Sequence, residues 1–147
     1  MKLKFFAGLV ILFIALALQF WFSSVGISLN LSFAALICFA FIFGFWELLT
    51  LILIAVFIIN WQPAVSLEIL IFALFPVAAH FSPGLFRWRW QPWTEPPIAI
   101  FFGFLILYFA AAATKVLSYW QPFLLDVAAG LMFAALIFFP LYRWEKE

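Results

Sequence analysis

Residues 29–60, LNLSFAALICFAFIFGFWELLTLILIAVFIIN, run for 32 positions with a single charged side chain, Glu47. The run is too long for one upright membrane span. At about 1.5 Å per residue it reaches roughly 48 Å, whereas a bilayer core of about 30 Å takes about 20 helical residues. It is therefore either one strongly tilted helix or two short ones joined by a tight turn near Phe43-Gly44-Phe45. Which of these it is decides the topology of the whole chain.

Four further apolar blocks, 5–25, 64–82, 97–119 and 122–142, each suit one span. The surrounding composition supports that reading. The 147 residues are 70% hydrophobic and 9% charged, against about 45–50% apolar and about 25% charged in soluble domains. So little charge cannot cover so much apolar surface in water, and the chain reads as an all-α integral membrane protein in contact with the lipid bilayer. A net charge of +1 gives no signal for nucleic acid. Cys38 is the only cysteine, so no intrachain disulfide forms, and no metal-ligand spacing or cofactor motif is present. Lys2 and Lys4 precede the run from Phe5 to Phe22 as in a signal peptide, but its 18 residues exceed the roughly 7–15 of a cleavable segment. An uncleaved first span is expected.

Lys and Arg concentrate in cytoplasmic loops. With six helices and a cytoplasmic N-terminus, Lys2, Lys4, Arg87, Arg89, Arg143 and Lys146 all lie inside, and only Lys115 lies near the outer side. With five helices the same residues divide three against four. The sequence therefore predicts a single bundle over 1–147, with spans at about 5–25, 29–43, 45–60, 64–82, 97–119 and 122–142. Helices 2 and 3 are short, and both termini are cytoplasmic. The longest loop, 83–96, carries the run RWRW followed by Trp93. Arg87, Trp88, Arg89, Trp90 and Trp93 suit the headgroup layer as interfacial anchors, the rings half in apolar surroundings and the guanidinium groups on lipid phosphate. Pro96 and Pro97 fix the start of helix 5. Pro76 and Pro140 are expected to kink helices 4 and 6.

Ionisable groups inside the spans are costly and each needs a reason. Glu47 and His80 fall at similar depth near the inner side and form a candidate intramembrane polar pair. Glu68 and Asp126 fall in the first turns of helices 4 and 6, where the helix dipole favours a carboxylate. With Lys115 they make an outer cluster able to contact a small zwitterionic ligand or a partner helix. Gln19, Asn30, Ser32, Thr50 and Thr114 are candidates for hydrogen bonds between helices, and Ala110 to Ala113, Ala128, Ala129 and Gly130 for close helix approach. No Ser/His/Asp set, HExxH, phosphate loop or CxxC is present, so an enzyme is not expected.

The layout of short second and third spans around IFGFWELL (42–49), a basic aromatic loop, and a last helix LLDVAAGLMFAALIFFPLYRWEKE resembles the rod-shape-determining membrane protein MreD. That family is similar in fold to the substrate-binding S components of energy-coupling-factor transporters. The resemblance implies a non-catalytic scaffold in the bacterial inner membrane. It would recruit proteins of the cell-wall elongation and cell-shape machinery and bind a single-span partner of the MreC kind. Two alternatives are a small-molecule-binding subunit of a transporter and an accessory subunit of another membrane complex.

Overall fold

The computed structural model describes residues 2–60, 66–85, 94–111 and 120–146. These are all-helical, in six elements: α1 (Lys2–Ser24), α2 (Leu31–Ala40), α3 (Phe45–Ile59), α4 (Leu67–Leu85), α5 (Glu95–Ala111) and α6 (Trp120–Lys146). Of these, α1 and α6 are long and apolar enough to cross a bilayer, and the other four are shorter apolar helices.

Local chemistry explains the boundaries. α1 stops at a glycine-terminated turn in which Gly26 takes φ +85°. There the Ile27 N–H donates to the Phe22 carbonyl and the Gly26 N–H to the Ser23 carbonyl. This pairing closes helices at a left-handed residue, which glycine adopts without a Cβ clash. The long block 29–60 is broken where expected: α2 ends at Ala40, residues 41–44 turn, and α3 restarts at Phe45. Glu47 reaches back over that start, its Oε2 accepting the Gly44 N–H at 3.3 Å, the reciprocal half of a capping box. Ser66 caps α4, its Oγ accepting the Ile69 N–H at 3.4 Å. In α5, Pro96 and Pro97 occupy the first turn, where no backbone donor is missed.

Most boundaries differ from the sequence expectation by a few residues. α2 is ten residues long, because the turn uses up residues 41–43. α6 begins at Trp120 and continues to Lys146. Pro122 falls in its first turn, whose N–H groups have no intrahelical partner in any case. α4 and α6 both continue past internal prolines, Pro76 and Pro83 in one and Pro140 in the other. For α5, the expected 112–119 lies outside the described residues.

The organising element is α2. All ten of its residues are buried, and it packs against α1, α3, α4, α5 and α6. A helix with no polar face, LSFAALICFA, is stable only when enclosed on every side. Close approach on two of those sides depends on glycine. A Cβ on Gly103 of α5 would lie 2.8 Å from Ile37 Cδ1, and one on Gly130 of α6 would lie 3.3 Å from Ala34 Cβ and 2.9 Å from Phe104 Cε2. The small α6 surface seen in the sequence thus receives α2 and the Phe104 ring of α5. At the centre, the Phe33 ring of α2 stacks on Phe72 at 5.4 Å, meets Phe104 edge-on at 5.4 Å and lies 6.0 Å from Phe75. Such offset and edge contacts add to simple burial. α1 joins the same core through Leu12, Ala15 and Leu16.

Candidate functional site

A ten-residue helix buried in apolar surroundings has a problem at its ends. Its first N–H and last C=O groups have no intrahelical partners, and leaving them bare in an apolar interior is expensive. Side chains from three other helices supply the partners. At the N-terminal end, Asp126 of α6 accepts the Asn30 backbone N–H on Oδ1 at 2.7 Å, and the Asn30 Nδ2 amide on Oδ2 at 2.8 Å. The Tyr108 hydroxyl of α5 donates to the same Oδ2 at 3.0 Å. Gln19 of α1 serves the next position, its Oε1 accepting the Ser32 N–H at 3.2 Å and the Ser32 hydroxyl at 2.6 Å. At the other end, His80 Nδ1 of α4 lies 2.7 Å from the Ala40 carbonyl oxygen. A carbonyl only accepts, so that nitrogen carries the proton.

Asp126 and Ser32 are fully buried. A buried carboxylate survives only with several donors and a favourable field. Asp126 has three donors and sits at the positive end of the α2 dipole. This corrects the reason given by the sequence, which placed Asp126 against the N-terminus of its own helix. The helix it compensates is α2, 96 residues away along the chain.

The other sequence candidates separate. Glu68 does stand in the first turn of its own helix, exposed, at the same end of the bundle. Of the expected Glu68–Lys115–Asp126 cluster, Lys115 lies outside the described residues, and the two carboxylates stand at the same end of the bundle, Asp126 buried and Glu68 exposed. Glu47 and His80 do not pair. Glu47 bonds to the Gly44 N–H at the start of α3 and His80 to the Ala40 carbonyl at the end of α2. The anchors Arg87, Trp88, Arg89, Trp90 and Trp93 all fall outside the described residues. Of the uncharged set, Gln19 and Ser32 bond between helices as expected, while Thr50 turns back to the Trp46 carbonyl of its own helix at 2.8 Å. Tyr108 was missed. It falls midway along the expected 97–119 span among apolar residues, and only the fold brings its hydroxyl to Asp126.

Beside the N-terminal cap is a cavity of about 220 Å³. Gln19, Asn30, Asn60, Glu68 and Tyr108 give it polar groups from several helices, and Ile59, Phe72 and Leu107 line it with apolar surface. A second cavity of about 460 Å³ lies at the opposite end of α2, between Phe41, Phe43, His80, Glu95 and Tyr142.

The chain matches no family model, no curated protein and no solved structure.

Proposed function

We propose that this chain is an integral membrane protein that crosses the bilayer six times with both termini in the cytoplasm. It serves as a non-catalytic scaffold of the MreD kind in bacterial cell-wall elongation. The two long apolar helices support the membrane part of this reading, as does the split of basic residues. On this topology the Asp126 cap faces the outer side and the His80 cap the inner side.

The scaffold part rests on one observation. Phe6, Phe13 and Phe20 stand exposed on α1, at 60%, 49% and 51%, in a row at seven-residue spacing. That is the period at which a second helix stays in register along its neighbour. Trp46, Leu53 and Phe57 form a comparable exposed row on α3, which packs beside α1. Gln19, His80 and Asp126 are turned inward to hold α2, and the rows on α1 and α3 are turned outward. This suits docking of a single-span partner rather than chemistry on a soluble substrate.

The test is purification of the tagged protein from its native cells in mild detergent, with co-purifying proteins identified by mass spectrometry. Recovery of cell-wall elongation proteins, reduced when Phe6, Phe13 and Phe20 are changed together to alanine, is the expected result. Recovery of an ATPase pair with a coupling membrane subunit, or of the protein alone, overturns the scaffold reading.

A further inference from the structure

The cavity beside the α2 N-terminus has a definite hydrogen-bonding character, set by what its polar groups already do. A carboxylate accepts and does not donate, so Asn30 must turn its Nδ2 to Asp126. That leaves Asn30 Oδ1 as an unused acceptor. The Tyr108 hydroxyl gives its one proton to Asp126 and keeps its lone pairs. The Ser32 backbone N–H only donates, so Gln19 must present Oε1 to it, leaving Nε2 as an unused donor. Glu68 adds an exposed carboxylate to the lining. No buried side-chain nitrogen or oxygen among the described residues lacks a hydrogen-bond partner, so the unused atoms are those with open space beside them. Among the described residues, the cavity thus has unused acceptors at Asn30 Oδ1 and the Tyr108 oxygen, with the Glu68 carboxylate beside them. The rest of the wall is apolar, from Ile59, Phe72 and Leu107.

We propose that this cavity is a binding site for a small organic cation, a primary amine carrying a compact apolar body. The ammonium group supplies three donors and no acceptor, which fits Asn30 Oδ1, the Tyr108 oxygen and the Glu68 carboxylate. The apolar body fits against Ile59, Phe72 and Leu107. At about 220 Å³ the cavity falls just below the roughly 300 Å³ at which sites for drug-sized ligands begin, so the ligand is a single ring or a short chain. This site is independent of the scaffold reading, since it uses the end of the bundle and not the aromatic rows.

The experiment titrates benzylamine, benzyl alcohol and benzoate into the full-length protein in detergent and reads affinity by calorimetry. Benzylamine is expected to bind at least about tenfold more tightly than benzyl alcohol, the scale of one charge-assisted hydrogen bond, with benzoate weakest. Glu68→Gln is expected to remove that preference, with the ligand-free melting temperature unchanged because Glu68 is exposed. Val56→Phe, which places a ring into the cavity lining, is expected to abolish binding of all three. Equal binding of the three probes, tighter binding of benzoate, or unchanged binding in either variant overturns the proposal.

Discussion

Asp126→Ala is expected to destabilise the folded bundle by about 3 kcal/mol, the scale of removing a charged acceptor from buried donors. The change strands the Asn30 backbone N–H and side-chain amide at the start of α2, together with the Tyr108 hydroxyl. It also removes the negative charge that faces the positive end of the α2 dipole. Asp126→Asn is expected to cost about half as much. Its carbonyl oxygen can still accept the Asn30 N–H. Its amide can donate to Asn30 Oδ1 once that side chain flips, and Tyr108 can rotate its proton away. Thermal unfolding of the purified variants in one fixed detergent ranks them. If Asp126→Ala melts within a degree or so of the parent, the carboxylate is not what holds the end of α2. The loss is local to the α2 end, so Gln19→Ala, which strands Ser32 instead, belongs to the same ranking with a smaller drop.

Phe33→Ala is the second large effect. Phe33 is fully buried among Phe72, Phe75 and Phe104. In soluble cores Phe→Ala costs about 3–5 kcal/mol, part of it transfer of apolar surface from water and part the cavity left behind. On the proposed membrane reading the transfer part is small, because the surroundings between helices are apolar in the unfolded reference as well. The cavity and lost dispersion contacts remain, so the expected cost is about 3 kcal/mol, at the lower end of that range. Phe33→Leu, which keeps most of the volume, is expected to cost under about 1.5 kcal/mol. Phe13→Ala, on the exposed row of α1, is expected to leave the melting temperature unchanged. If Phe13→Ala and Phe33→Ala melt alike, the core does not centre on α2.

Much of this architecture is legible in the residues themselves. The break in the 29–60 block falls at the glycine-containing turn because an apolar run of that length exceeds one span and Gly44, its only glycine, is its weakest helix former. The prolines at 96 and 97 mark the start of α5 because a first turn lacks backbone partners anyway. Gly130 and its alanine neighbours announce a close helix contact. What the sequence conceals is the partner of each polar group. Asp126 and Asn30 are 96 residues apart, and no local period connects them. The sequence offers a sufficient local reason for Asp126, its position early in α6, and that reason points to the wrong dipole. Glu47 and His80 share a depth, which reads as a pair. Depth carries no information about which backbone groups at the end of α2 and the start of α3 need partners, and those groups decide the outcome.

In the proposed topology α2 and α3 are two separate short spans of a six-span bundle. The direct measurement is the location of both termini in cells, by paired fusions of green fluorescent protein and alkaline phosphatase at each end. The expected result is fluorescence without phosphatase activity at both ends. Phosphatase activity at the C-terminus with a cytoplasmic N-terminus gives an odd number of crossings, makes 29–60 a single span, and contradicts the account.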